Sequence, residues 1–357
     1  MSPPVPSRAA FDAATRLASS GSDLDESQTA ELIEAMLRGE ADESQIGELL
    51  LALSHKGEAV SELVGAARAM RAHMTRIPHH HERLLDTCGT GGSGSGTFNI
   101  STAVAIAAAA CGIPVAKHGN RRASSRTGSA DVLEALGVRI ESDADAVARR
   151  LDDIGICFCF AAKLHPAMRH VVGVRRKLGV KTLFNLLGPL CNPAGATHQL
   201  LGTSTVDAQH KVAAALARLG TTRSFIVHAS DGQDEVSLDG ATQVIEVRSE
   251  HSSTDHVLST SASHFTSSPQ CWTASDFGLS PVHQDQLVAD DPAHSARIIR
   301  GIFAGEPGPC RDTVLAGTAA ALYLVGTADS LRQGVQQAAN AIDKGLAAEK
   351  LRQLTDS

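Results

Sequence analysis

Apolar residues recur at helical spacing between residues 25 and 77: Leu32, Ile33, Met36 and Leu37, then Leu49, Leu50 and Leu53, then Leu63, Ala66, Ala67 and Met70. A stripe of that period is what an amphipathic helix turns toward a core, so this stretch predicts a helical bundle. From Asp86 onward the pattern changes. Strand-like apolar runs near 113–117, 156–161, 199–203, 224–228 and 243–247 alternate with helical stretches, the order of an α/β domain. Thr102 to Cys111 is apolar throughout and predicts a buried helix, and Asp312 to Leu354 predicts a helical tail, Ala-rich and then charged and amphipathic. Two stretches have no period: residues 1–24, with Pro, Ser and Ala, read as a flexible extension, and 249–268, with Ser, Thr and His, as a mobile surface insertion. The expected organisation is therefore an extension (1–24), a small helical domain (25–85) and an α/β domain (86–357).

Composition narrows the function classes. A chain of 357 residues can bury one large core or two unequal ones. A formal charge of −7 with 3% aromatic residues argues against a nucleic-acid binder. The longest apolar run, Ala103 to Ala116, is broken by Gly112 and Pro114 and falls short of the roughly 18 residues a membrane span needs, so no membrane partner is expected. The first residues lack the apolar core of a secretion signal, and seven scattered cysteines without a C-x-x-C pair suit a reducing compartment, which points to the cytoplasm.

The chemistry concentrates in four segments. Gly89 to Gly96 holds five glycines in eight residues, after the apolar Leu84-Leu85 and before the buried helix. That density has an entropic cost, and the usual reason for it is close approach of backbone amides to a phosphate at a helix start. Gly89, Gly91 and Gly94 satisfy G-x-G-x-x-G, yet the next strand ends in Lys117-His118, where a dinucleotide site would want an acid for the ribose. A Walker A loop needs Gly-Lys-Ser/Thr, and Gly96 is followed by Thr97. The second segment, residues 117–131, carries Lys117, Arg121, Arg122 and Arg126 among hydroxyls and glycines, as a multiply charged anion requires. The third, 165–193, carries an arginine pair and the Gly188-Pro189 turn. In the fourth, Asp234-Glu235 follows a strand-like run; such a pair either holds Mg²⁺ over a phosphorylated substrate or is a solvated turn.

Together the four segments resemble the anthranilate phosphoribosyltransferase family. The resemblance is carried by GTGG…TFNIST at 89–102, KHGNR…SS…GSAD at 117–131, HPAMRHV…VR…LG…T-FN-LGPL-NP at 165–193 and DEVS at 234–237, and it runs from about residue 25 to about 355. It implies a helical N-terminal small domain joined by a helix near 176–190, and a large α/β domain with a central, mostly parallel sheet of the nucleoside phosphorylase/phosphoribosyltransferase class III type. It also implies pairing of two copies into a homodimer through the small domain, with the site in the cleft between domains.

The implied reaction is transfer of the phosphoribosyl group from phosphoribosyl pyrophosphate to the amine of anthranilate, with Mg²⁺, in tryptophan biosynthesis. By the same resemblance Gly89, Thr90, Gly91, Gly92, Thr97, Asn99, Ser101, Thr102, Lys117 and Ser129 would bind phosphoribosyl pyrophosphate. Gly89, His118, Asn120, His165, Arg175 and Gly188 would line the anthranilate site, with Arg175 the natural carboxylate partner. Ser101, Asp234 and Glu235 would hold metal, and no dedicated acid or base is implied. A pyrimidine nucleoside phosphorylase shares the fold and also works at C1 of a ribose; Asn120, Arg175 and Asp234-Glu235 favour the transferase. A relative with a different acceptor is the other alternative. The chain departs from the family at Ser93, where Asp usually follows Gly-Thr-Gly-Gly, so its metal dependence is expected to differ; Arg122-Ala123 is a smaller, neutral departure.

Overall fold

The computed structural model describes residues 7–122, 127–249 and 265–357, with backbone alone for 265–268. Four helices open the chain: α1 (Arg8–Ser19), α2 (Glu26–Arg38), α3 (Glu43–Lys56) and α4 (Val60–His73). The α2 and α3 starts are set by capping boxes, in which Asp25 and Asp42 accept the amides of Gln28 and Gln45 at 2.8 and 2.9 Å while those glutamines accept the aspartate amides in return. Such a cap stabilises a helix by about 1 kcal/mol.

The extension expected over residues 1–24 is corrected from residue 7 on. Ser7 caps α1, Phe11, Ala14 and Ala18 are buried in the bundle, and Leu24 is fixed by its amide donating to the buried Glu62 at 3.0 Å. Residues 1–6 lie outside the described residues.

The large domain follows in the order β1 (Leu85–Gly89), α5 (Ile100–Ala110), β2 (Val115–Gly119), α6 (Ser129–Ala135), α7 (Ala144–Ile154) and β3 (Ile156–Phe160). The chain then returns through α8 (Ala161–Leu164), α9 (Arg169–Leu178) and α10 (Phe184–Leu187). It continues with β4 (His198–Gly202), α11 (Val206–Leu219), β5 (Arg223–Ala229), β6 (Thr242–Ser249) and β7 (Phe265–Trp272). The tail comprises α12 (Ala274–Phe277), α13 (Pro292–Phe303), α14 (Pro309–Val325), α15 (Leu331–Asp343) and α16 (Leu346–Asp356).

The seven strands run β3-β2-β1-β4-β5-β6-β7; β1 to β5 are parallel, and β6 and β7 add on antiparallel. Strand order therefore reverses between β1 and β4, and the crevice beyond the carboxyl ends at such a reversal is where open α/β sheets bind ligands. One face of the sheet packs on α5 and the C-terminal helices. The other face shares a continuous core with the small bundle, from Leu32, Leu50 and Val64 through Leu216 of α11 to Ile226. The helix expected near 176–190 is instead α9, ending at Leu178, followed by α10; Val171, Val174, Phe184 and Leu187 insert into the bundle core. Gly179, with φ +66°, ends α9 in the left-handed region and separates the two.

Of the insertion expected at 249–268, Ser249 ends β6 and 265–268 open β7, while 250–264 lie outside the described residues. Among the described residues no helix is long and apolar enough to cross a membrane. All seven cysteines are free thiols.

Candidate active site

The glycine loop leaves β1 at the strand-order reversal and is tied down at both ends. Thr90 donates its amide to the Gly202 carbonyl at the end of β4 (2.9 Å), and beyond the loop Phe98 donates to the Leu287 carbonyl (2.8 Å) while Ala289 donates to that of Gly96 (3.0 Å). Between these ties Gly91, Gly92, Gly94 and Gly96 have φ of 69°, 82°, 69° and 67°, values that other residues rarely adopt. The side chains between them form a row of hydroxyls, Ser93 Oγ to Ser95 Oγ and Ser95 Oγ to Thr97 Oγ1, each 3.2 Å apart.

The acidic pair reaches the loop from the turn after β5. Asp234 Oδ2 accepts the Gly91 amide at 3.0 Å, and Glu235 Oε1 accepts the Ser101 amide at 3.1 Å in the first turn of α5. Two glycines make room for Asp234: a Cβ on Gly89 would stand 2.6 Å from its Oδ2, and one on Gly202 only 1.7 Å from its carbonyl oxygen. Burial, with the neighbouring Asp234 charge second, pushes the Glu235 carboxyl up to about 8.

Lys117 forms the floor. Its Nζ donates to the Thr87 carbonyl (2.5 Å) and to Ser101 Oγ (3.2 Å). Burial pulls its pKa down and pushes that of Asp86 up, and the two opposite charges offset part of each shift. Asp86 is fully buried in β1, where it accepts from the His118 amide (3.0 Å) and from Asn192 Nδ2 (2.8 Å). Beside this floor the hydroxyls of Thr90 and Thr102 are buried with no hydrogen-bond partner among the described residues. Asn99, before α5, accepts at Oδ1 from Thr127 (2.8 Å) and Ser295 (2.9 Å), which leaves its amide nitrogen to point elsewhere.

A second group adjoins the first through His118. Its Nδ1 is 3.0 Å from the Gly188 carbonyl and its Nε2 is 3.2 Å from His165 Nε2. Burial holds both imidazoles neutral, His118 at about 3 and His165 at about 4. From Gly188 the chain leads back through α10 to Phe184, over whose ring the Arg175 guanidinium sits 5.2 Å from the centroid. Arg175 Nη2 donates to Asn185 Oδ1 at 3.3 Å, and no carboxylate among the described residues pairs with it. Asn120 is exposed at the end of β2, and Ser129 Oγ donates to its carbonyl at 3.4 Å across Gly119.

Residues 81–348 match the glycosyl transferase family, a/b domain, and residues 13–74 match the glycosyl transferase family, helical bundle domain. Over 351 residues the chain is 66% identical to the anthranilate phosphoribosyltransferase of Rhodopirellula baltica, covering 98% of both. Over 350 residues it is 45% identical to that of Syntrophotalea carbinolica, covering 94% of this chain and 95% of that one.

The chain belongs to the anthranilate phosphoribosyltransferase family.

Solved structures of family members superpose closely. The anthranilate phosphoribosyltransferase of Thermus thermophilus matches with a TM-score of 0.86 and 39% identity, over 96% of this chain and 98% of that one. The Saccharomyces cerevisiae enzyme in complex with phosphoribosyl pyrophosphate and Mg matches with a TM-score of 0.85 and 26% identity, over 98% of both.

In this anthranilate phosphoribosyltransferase family chain, hydrogen bonds join several residues singled out from sequence: Gly91 to Asp234, Ser101 to Glu235 and to Lys117, and His118 to Gly188 and His165, while Arg175 lies over Phe184, four residues before Gly188. Residues 123–126 of the basic segment lie outside the described residues. Sequence reasoning missed Asp86, Asn192, Gly202 and Ser295, which hold the others in place. Asp86 had a signal, an acid directly after two leucines; Ser295 had none.

Proposed function

We infer that the protein joins anthranilate to phosphoribosyl pyrophosphate, giving N-(5-phosphoribosyl)anthranilate and pyrophosphate in tryptophan biosynthesis. The observation that carries the reading on this chain's own residues is the amide-rich loop bonded to the acidic turn, with the buried Lys117 hydrogen-bonded to Ser101 at the start of α5. The loop amides, the Thr90 and Thr102 hydroxyls, Lys117 and the free side of Asn99 suit the phosphates, and Ser129, at the start of α6, is assigned to the same ligand. Arg175 suits the anthranilate carboxylate, since its partly buried guanidinium pairs with no acid among the described residues and has donors beyond the one given to Asn185. His118 and His165 present neutral imidazoles along the approach, and Asn120 and Gly188 border it.

The reaction forms a bond from the anthranilate nitrogen to ribose C1 and breaks the bond from C1 to the pyrophosphate oxygen; the amine proton leaves to solvent. An aromatic amine is already neutral at pH 7, so it needs no strong base to attack. What the protein supplies is orientation of the amine opposite the leaving group and positive potential where charge builds up on pyrophosphate, from the loop amides and Lys117.

The donor set also suits a divalent cation. Asp234 and Glu235 are adjacent, Glu235 is pushed up in part by its neighbour's charge, and Ser101 lies against Glu235. Among the described residues no three His, Cys, Asp or Glu side chains converge, which fits Mg²⁺ that takes its other ligands from phosphate and water. When bound, Mg²⁺ supplies charge neutralisation of the pyrophosphate. A homodimer paired through the helical bundle is part of the same proposal, as is a cytoplasmic setting for the seven free thiols.

The test is loss of anthranilate fluorescence with purified protein, phosphoribosyl pyrophosphate and Mg²⁺, beside a uridine or thymidine phosphorolysis control. Loss that requires all three components is the expected result. Nucleoside cleavage without it would move the chain to the phosphorylases.

A further inference from the structure

One cation near the glycine loop has no role in the assignments above. Lys181 lies in the connection between α9 and α10, and its carbonyl accepts a hydrogen bond from Ser54 Oγ of α3 at 2.8 Å. Its backbone therefore belongs to the helical bundle. Its side chain crosses to the sheet domain: Nζ stands 2.8 Å from the point a Cβ on Gly92 would occupy. Other lysines of the bundle and its borders answer nearby acids, Lys56 with Asp23 and Glu62, Lys177 with Glu43 and Lys211 with Asp207. Lys181 pairs with no acid among the described residues, and residues 89–97 contain no charged side chain. The Asp234 carboxylate stands at Gly91, yet the Lys181 ammonium over Gly92 forms no ion pair with it, so this cation remains available to an anion brought from outside.

We propose that Lys181 is a pyrophosphate-binding residue that reaches across the cleft and, with Lys117 on the floor, grips the leaving group from opposite sides of the loop. The inference rests on the loop being the pyrophosphate cradle. Lys117 is buried and held by Thr87 and Ser101, so it is a fixed charge. Lys181 is exposed on a flexible four-carbon stem, so it can follow the phosphate as it leaves. Because its backbone is anchored to α3, its contact with ligand also ties the bundle to the loop. The chemistry recognised is a diphosphate; a 5′-phosphate monoester is the competing source of the same charge, and the experiment separates them.

The test compares Lys181→Met and Lys181→Arg with the unaltered full-length protein in steady-state kinetics, with inhibition by inorganic pyrophosphate and by ribose 5-phosphate. Lys181→Met is expected to raise the KM for phosphoribosyl pyrophosphate and the inhibition constant of pyrophosphate together by about tenfold, the usual effect of losing one charge-assisted contact. The anthranilate KM and the ribose 5-phosphate constant stay within about twofold, and the melting temperature within about 1 °C, as for an exposed side chain. Lys181→Arg keeps the charge and restores most of the affinity.

An unchanged pyrophosphate constant in Lys181→Met overturns the proposal, and so does a shift confined to ribose 5-phosphate. Asn99→Ala serves as the control on the cradle. If it raises the phosphoribosyl pyrophosphate KM while Lys181→Met does not, only the role of Lys181 falls; if neither does, the cradle reading falls with it.

Discussion

His118 and His165 face each other through their Nε2 atoms at 3.2 Å, both buried and both neutral at physiological pH. One nitrogen must carry the proton and the other accept it, because two protonated rings at that distance would repel in a site with little water. Each has a pKa well below the unfolded value of about 6.5, so below that pH the unfolded chain binds protons that the folded chain refuses. Each therefore contributes stability that is complete above about pH 6.5 and falls, by up to about 1.4 kcal/mol per pH unit, as the medium is acidified. Glu235, raised to about 8, works in the opposite sense over part of this range, so the informative quantity is a difference. The slope of urea-unfolding free energy against pH between about 5 and 6.5 is expected to be shallower in His118→Asn/His165→Asn than in the unaltered protein. Parallel slopes would refute the buried neutral pair.

Arg175 has a ring beneath it and a neutral amide beside it, but no acid pairs with it among the described residues. Arg175→Ala is expected to raise the anthranilate KM by about ten- to a hundredfold, the order of a lost bidentate carboxylate contact, and to leave the KM for phosphoribosyl pyrophosphate nearly intact. Steady-state kinetics with each substrate varied in turn checks this. Equal weakening of both substrates would count against the assignment.

At Gly202, the last residue of β4, the acidic turn packs directly against the strand. A methyl group there would stand 1.7 Å from the Asp234 carbonyl oxygen, so Gly202→Ala must push Asp234 and Glu235 away from the loop. The expected result is a loss of about 1–3 kcal/mol of stability, as in other overpacked sites, with a higher Mg²⁺ concentration for half-maximal activity. Thermal unfolding and a Mg²⁺ titration read the two effects separately. A variant with the same half-saturation as the unaltered protein would place the metal elsewhere.

Ser93 lies in the hydroxyl row beside this acidic pair's loop. Ser93→Asp adds a carboxylate where the family usually has one, and is expected to lower the Mg²⁺ half-saturation by about threefold, the scale of one exposed charge. An unchanged titration, in both activation and inhibition by excess Mg²⁺, would show that this position does not set metal use.

Much of this was legible in the sequence because the signals are local. The glycine loop, the strand ends at Lys117-His118 and the Asp234-Glu235 turn each show in a few consecutive residues, and β2 to β5 fall within about two residues of the apolar runs that predict them, whereas β1 begins at Leu85, where the apolar pair suggests a strand end. The helix α1 was hidden because two of its three buried side chains, Ala14 and Ala18, are small, which weakens the stripe around Phe11. Strand β7 reads Phe-Thr-Ser-Ser-Pro-Gln-Cys-Trp; its pairing with β6 outweighs a polar sequence, and Pro269 is tolerated at the sheet edge. Within the site, Ser295 reaches Asn99 from 196 positions away and Gly202 clears space for Asp234 by tertiary approach, relations that no window of sequence contains.

From Gly92 to Thr97 glycine and hydroxyl residues alternate, and the two sets answer to different constraints. Gly92, Gly94 and Gly96 hold the path of the chain through their left-handed backbone, so exchange at these positions would distort the loop itself. Ser93, Ser95 and Thr97 carry none of that conformational burden. Inheritance can therefore vary the interleaved positions one at a time, changing the loop's affinity for metal or phosphate while its shape persists. Evolvability is thus confined to every second residue, and Ser93 occupies one of those positions.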